Sequence, residues 1–202
     1  MLFAGYQTSY GNDYPGGKKI TGVLFVKGCN MDCYFCHNRM TALEGSDCIP
    51  EDKVKNILER RKGLLDGVVI SGGEPTIYGE ELIRFIEDIR KQFPMFLIKL
   101  DTNGTNPDLL KKIIFDKMID FVSMDIKAPI AAYSKIKGCE KAHLLSLRSS
   151  IRIIQNSNIG YQFRTTLVPE LSESDIAQIQ MDIGYDANYI LQPYRDIQLP
   201  VA

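Results

Sequence analysis

Basic excess, acidic tails and long apolar runs are all missing from this chain. Lys and Arg number 24 against 25 Asp and Glu, leaving a net charge of −1 over 202 residues. Without a basic surplus nothing points to a nucleic-acid surface, and without an acidic block there is no solvating arm. No stretch approaches the ~20 consecutive apolar residues of a membrane span. The opening Met1-Leu2-Phe3-Ala4-Gly5 has no basic region followed by a long apolar run, so no signal peptide is read there. These absences predict a soluble, cytoplasmic protein with no membrane or nucleic-acid partner. Its length allows one domain, residues 1–202, with a sizeable core.

Histidine is scarce, with only His37 and His143. The five cysteines are unevenly spread: Cys29, Cys33 and Cys36 form a C-x3-C-x2-C pattern. An odd number crowded in this way is not a secreted disulfide framework, and it reads as metal binding or catalysis. Three thiolates in one tight loop suit a metal or an iron–sulfur cluster. A [4Fe–4S] cluster normally takes four Cys ligands. With three, one iron keeps an open position, where chemistry can occur. Cys48 and Cys139 stand isolated in sequence, too few for a second cluster. Cys48 is read as a spare residue, because a fourth thiolate would close the open site. The rival reading is zinc, with His37 completing a Cys3His set. Structural zinc sites usually take two separated knuckles, whereas these four residues share one loop. His143 reads as a surface or packing residue.

Residues 5–19, rich in Gly, Tyr, Asn and Pro, read as a lead-in loop with a short strand near 5–8. Residues 20–26 form a β-branched, apolar strand that runs directly into the cysteine loop. A helix follows over 50–62, with Pro and acids in its first turn. Strands are then predicted at 67–71, 96–100, 121–125, 160–167 and 189–192. Helices are predicted at 80–93, 107–117, 142–156 and 172–183, the first of them amphipathic. Strands that are apolar runs rather than alternations are buried on both faces, hence parallel. Six strands alternating with helices make an α/β domain. The sheet is either doubly wound or a partial barrel; a complete eight-stranded barrel usually takes ~250 residues, so six units in this length fit a partial (β/α)6 TIM-like barrel better.

The polar motifs fall at the carboxyl ends of these strands, the edge that forms the active site of parallel α/β folds. Gly72-Gly73-Glu74-Pro75 ends one strand, and its glycines let backbone approach a ligand closely. Glu74 and the glycine carbonyls are placed to hold an amino group. Asp101-Thr102-Asn103-Gly104 ends the next, where a buried Asp needs a cation or donor. Asp125 and Lys127, two apart, share one side of the following strand end. The plainer account of Lys127 is an internal ion pair with Asp101. The motifs converge on one mouth with the cysteine loop.

C-x3-C-x2-C with an aromatic, Phe35, just before the last Cys, followed by Gly-Gly-Glu-Pro, resembles the radical S-adenosylmethionine enzymes. Asp13-Tyr14-Pro15-Gly16, residues 28–38, 71–76, 100–107 and 124–129 resemble the anaerobic ribonucleoside-triphosphate reductase activating proteins. These are glycyl-radical activases, related to pyruvate formate-lyase activating enzyme. The resemblance implies that Cys29, Cys33 and Cys36 bind three irons of a [4Fe–4S] cluster and that S-adenosylmethionine chelates the fourth. Phe35 would pack near the adenine, and Gly72, Gly73 and Glu74 would hold the methionine amine. Asp101, Thr102, Asn103, Asp125 and Lys127 complete the implied cofactor-binding set. Asp101, Thr102 and Asp125 also match a monovalent-cation site. The implied partners are a glycyl-radical enzyme, the anaerobic ribonucleotide reductase, and a one-electron donor such as flavodoxin or ferredoxin.

One departure and two rivals accompany the resemblance. Where activases carry a histidine after Gln-Pro-Tyr, this chain has Arg195. The rival within the superfamily is 7-carboxy-7-deazaguanine synthase, which acts on a pterin. Its strand ends read Glu-Thr-Asn-Gly and Ser-Pro-Lys, unlike the Asp-Thr-Asn-Gly and Asp-Ile-Lys found here. A non-catalytic iron–sulfur or zinc module is the rival outside enzymology. Partner selection is expected on the rim, in residues 5–19, 130–141 and beyond Tyr194.

Overall fold

The computed structural model describes residues 1–11, 13–39, 47–140 and 142–195. Asn12, Lys141 and the segment after Arg195, all part of the expected rim, lie outside the described residues. The strands, in chain order, are β1 (Leu2–Tyr10), β2 (Ile20–Val26), β3 (Ile49–Pro50), β4 (Gly67–Gly72), β5 (Leu97–Thr102), β6 (Phe121–Asp125), β7 (Gly160–Leu167) and β8 (Tyr189–Pro193). The helices are α1 (Glu51–Arg61), α2 (Glu80–Gln92), α3 (Pro107–Phe115), α4 (Leu144–Gln155) and α5 (Glu173–Ile183). One sheet runs β3-β1-β2-β4-β5-β6-β7-β8. From β2 to β8 every pairing is parallel. The six expected parallel strands are therefore present, in chain order, as the partial-barrel reading requires.

The first strand differs from expectation. Residues 2–10 form a nine-residue strand, antiparallel to β2, where a loop with a short strand was expected. Its Gly and Tyr content reads as a loop, yet pairing with β2 supplies its backbone hydrogen bonds. It carries the two-residue β3 on its other edge. Tyr14 then turns inward and packs on Val23 and Val69, with Phe25, Leu97 and Phe121 around them.

Along each parallel strand the residues alternate between two environments. Leu24, Ile70, Ile98, Leu100, Val122 and Met124 face the helices and are buried in the main core. The opposite, inner face is apolar only at its base, under Tyr14. Further along the same strands the inner positions become Lys99, Asp101, Asp125 and Arg164. The helices cover the outer face with regular apolar stripes, as Leu82, Phe85, Ile86 and Ile89 do on α2. Their ends follow local rules: Asn106 caps α3 ahead of Pro107, and Ser172 with Asp175 forms a capping box on α5.

Candidate active site

A cavity of about 300 Å³ opens at the carboxyl ends of the parallel strands. All twelve sequence-predicted site residues line it: Cys29, Cys33 and Cys36; Phe35; Gly72, Gly73 and Glu74; Asp101, Thr102 and Asn103; Asp125 and Lys127. Cys48 is exposed and does not line it. His143 is exposed at the start of α4, and Arg195 is exposed away from the cavity.

The cysteine loop is tied to the ends of four successive strands. At β4, Glu74 N donates to Gly28 O at 2.9 Å and Gly73 N to Val26 O at 3.1 Å. A Cβ on Gly73 would fall 1.8 Å from Gly28 O, and one on Gly72 would fall 2.2 Å from Val26 N. Gly73 is therefore required by close approach of the cysteine loop's own backbone and Gly72 by that of β2, not only by a ligand. At β5, Asn103 Nδ2 donates to Asn30 Oδ1 at 2.8 Å, and Asn30 Nδ2 to Thr105 Oγ1 at 2.8 Å. Beyond β6, Asp32 N donates to Gly138 O at 3.0 Å and Tyr34 N to Lys137 O at 3.3 Å. Beyond β7, Glu170 accepts a hydrogen bond from the Tyr34 hydroxyl.

Glu74 is buried and accepts four hydrogen bonds. Its Oε1 takes Thr76 N, Thr76 Oγ1 and Thr102 Oγ1, at 3.0, 2.6 and 2.8 Å. Among the described residues its Oε2 takes Asn103 N, at 2.6 Å, which leaves acceptor capacity on that oxygen. Burial pushes the carboxyl above its usual range, while the four donors pull the other way.

Asp101 is also committed. Lys99 Nζ stands 2.6 Å from Oδ1, and Ser71 Oγ donates to Oδ2 at 2.9 Å. Arg164 NH1 reaches Oδ2 at 3.4 Å, and its Nε donates to Asp125 Oδ1 at 2.8 Å. Burial alone would raise the Asp101 carboxyl, but Arg164 and Lys99 together hold it below its usual range. The Lys127 ammonium lies 3.7 Å from Asp125 Oδ2 and 5.7 Å from the Phe35 ring centre. Burial disfavours that charge, yet Asp125 and the neighbouring thiols raise its pKa. The plainer reading of Lys127 is corrected here. Asp101 pairs with Lys99 and Arg164, and Lys127 pairs with Asp125.

Lys99, Arg164 and Cys139 were missed as site residues by sequence reasoning. Lys99 lies two residues before Asp101 in an apolar strand, hence on the same face, a signal that was available. Arg164 gives none until the β6–β7 register sets it beside Asp125. Cys139, isolated in sequence, has its Sγ 3.0 Å from Cys33 Sγ.

Three thiols around one cavity fit a four-iron cluster, whose corners stand apart. Among the described residues, no three His, Cys, Asp or Glu side chains close on a single-ion position. The compact Cys3His arrangement of the zinc reading is thus not formed. A monovalent cation at Asp101, Thr102 and Asp125 does not fit either. The carboxylates already face Lys99 and Arg164, which supply the positive charge a cation would bring.

Parallel strands delivering three thiols, a buried carboxylate and an ion-pair network to one mouth define a metal–sulfur enzyme of the α/β-barrel class. A Radical SAM superfamily model matches residues 23–183. A Methanocaldococcus jannaschii protein, provisionally named a glycyl-radical enzyme activating enzyme, is 33% identical over 90% of this chain and 75% of its own length. The Escherichia coli pyruvate formate-lyase 1-activating enzyme is 26% identical over 92% of this chain and 77% of that protein. A 7-carboxy-7-deazaguanine synthase of Archaeoglobus fulgidus is 26% identical over 84% of this chain and 74% of that protein. Among solved structures, native anSMEcpe with bound AdoMet superposes with a TM-score of 0.66 at 15% identity, covering 84% of this chain. This chain spans half the length, 50%, of that neighbour, and the likeness speaks for the fold. The chain belongs to the radical SAM superfamily, on its glycyl-radical-activase branch. Members of the superfamily use a [4Fe–4S] cluster and S-adenosylmethionine.

Proposed function

We infer that this protein activates an anaerobic ribonucleotide reductase by generating a radical on one of its glycines. The observation that carries the reading is the convergence of the cysteine triplet, Gly72-Gly73-Glu74, Asp101 and Asp125 on one cavity. Cys29, Cys33 and Cys36 would hold the cluster. When bound, the reduced cluster supplies one electron to cleave a carbon–sulfur bond of S-adenosylmethionine, giving methionine and a 5′-deoxyadenosyl radical.

The chain's own residues supply binding, orientation and exclusion of water. The acceptor capacity left on Glu74 Oε2 is placed to take the amino group of the methionine moiety. Phe35, buried at 6% exposure under the Lys127 ammonium, offers a face to the adenine. Arg164 locks Asp101 and Asp125 in place, so that neither carboxylate competes for the metal. The strand-tied cysteine loop keeps its three thiols at fixed spacing. A flavodoxin or ferredoxin is proposed as electron donor, in the cytoplasm. Among the described residues no helix is long and apolar enough to cross a membrane.

The test uses anaerobically reconstituted protein with about four irons per chain. Reduced and given S-adenosylmethionine, it should release 5′-deoxyadenosine, and a Cys33→Ala variant should not. Incubation with the candidate reductase should give a glycyl-radical signal by paramagnetic resonance. Pterin turnover without a protein radical would replace this reading with the synthase one.

A further inference from the structure

Cys139 approaches the cysteine loop. Its strap, residues 137–139, lies against residues 32–34 through the two backbone hydrogen bonds from Asp32 N and Tyr34 N. Gly138 sits at φ +87°, and a Cβ there would fall 1.8 Å from Asp32 O. Only glycine lets the two backbones meet, and that contact brings the sulfurs of Cys33 and Cys139 to 3.0 Å. Cys139 is fully buried and Cys33 is 5% exposed. Cys33 lines the cavity and Cys139 does not. The Cys139 thiol is therefore in contact with Cys33 but is not among the groups that face the cavity.

We propose that Cys33 and Cys139 close into a reversible disulfide in the cluster-free protein, so that oxidation of this pair and cluster loading exclude each other. The inference rests on the reading of Cys33 as a cluster ligand. The oxidant is a low-molecular-weight disulfide entering through the cavity. The Cys33 thiolate attacks one of its sulfurs, and the first small thiolate leaves into the cavity. The Cys139 thiol then attacks Cys33 Sγ, its proton passing to the departing small thiolate. The Cys33–small-thiol bond breaks and the second small thiolate departs. Two protein thiols are oxidised, one small disulfide is reduced to two thiols, and the two protons go to the departing thiolates. Exchange needs attacking and leaving sulfurs on opposite faces of the central one. Cys33 touches Cys139 and also lines the cavity, so its sulfur can meet both partners.

The experiment takes the full-length chain, loaded with cluster and then stripped with chelator, and incubates it with oxidised glutathione. Free thiols are alkylated and the peptides are mapped by mass spectrometry. The expected result is a Cys33–Cys139 link, with Cys29, Cys36 and Cys48 alkylated. In a Cys139→Ser variant, Cys33 should instead retain a glutathione adduct, because its resolving thiol is gone. The linked protein should refuse iron and sulfide until reduced, whereas the reduced protein and the reduced variant should both load. Links among Cys29, Cys33 and Cys36, with Cys139 alkylated, would overturn the proposal even if the variant were poorly folded. A reduced wild-type chain that takes up no cluster would instead defeat the proposed function, while the mapped link would still report on this pair. Cluster-loaded protein carried anaerobically through the same treatment should show no Cys33–Cys139 link, and a link there would overturn mutual exclusion.

Discussion

The Lys99 ammonium stands 2.6 Å from Asp101 Oδ1, with the lysine side chain only 2% exposed. A positive charge built into the β5 strand thus occupies a carboxylate that the family resemblance would offer to a monovalent cation. Arg164 does the same from β7 for Asp125 and, at longer range, for Asp101. The mouth of the barrel carries its own counter-ions.

Lys99→Met should therefore destabilise the fold by about 3 kcal/mol, since it leaves a buried carboxylate short of a partner. Denaturant unfolding of the cluster-free chain measures this. In the wild-type reconstituted protein, S-adenosylmethionine affinity should be equal in sodium, potassium and tetramethylammonium buffers. A several-fold loss in tetramethylammonium would show that an alkali cation is needed despite Lys99.

Asp101 also makes a prediction about pH. Its carboxyl is held below its ordinary value of 3.8 in the folded state. A depressed carboxylate contributes stability that is fully present above the unfolded value and is lost as pH falls through the folded one. The cost of Asp101→Asn should therefore be constant at neutral pH and shrink below about pH 4. Unfolding curves of both proteins from pH 7 down to pH 3 would reveal a cost that stays flat if the carboxylate is not depressed.

Glu74→Gln replaces an oxygen acceptor with an amide group facing donors that are already in place. Its single oxygen can serve either Thr76 and Thr102 or Asn103, so at least one buried donor is left facing an amide N–H, which should cost about 1–3 kcal/mol. S-adenosylmethionine binding should fall as well, because Oε2 is the Glu74 oxygen with acceptor capacity left beside Asn103 N. A variant of wild-type stability would show that the four-donor network contributes nothing.

Gly73→Ala tests the backbone contact behind the motif. The new methyl would fall 1.8 Å from Gly28 O, so β4 and the cysteine loop must separate. Overpacking of this kind costs about 1–3 kcal/mol. The variant should also retain well under the about four irons per chain of a complete cluster, as read by iron analysis after desalting. Full iron content would mean that the loop tolerates the displacement.

Much of this architecture was legible in local patterns. The strand over Ile20–Val26 and those at Phe121–Asp125 and Gly160–Leu167 have the bounds their apolar runs suggest. The cysteine triplet, the Gly-Gly-Glu turn and the Asp residues at strand ends all line the cavity. Residues 2–10 were harder to read, because their strand depends on a partner, β2, rather than on their own composition. The role of Asn103 was hidden for the same reason. Its side chain is spent on Asn30, 73 residues away.

By itself the sequence determined the period of the elements, the chemistry of the loop and the edge of the sheet where polar groups gather. These follow from local propensity, from side-chain alternation and from motifs short enough to be read within one turn. Only the tertiary structure decided which charges pair and which thiols touch. Arg164 of β7 spans the carboxylates of Asp101 and Asp125, and Cys139 meets Cys33 across 106 positions. The physical reason is parallel register and close backbone approach. A hydrogen bond or ion pair forms between groups a few ångströms apart, and in a parallel sheet a helix and a loop of sequence separate such neighbours.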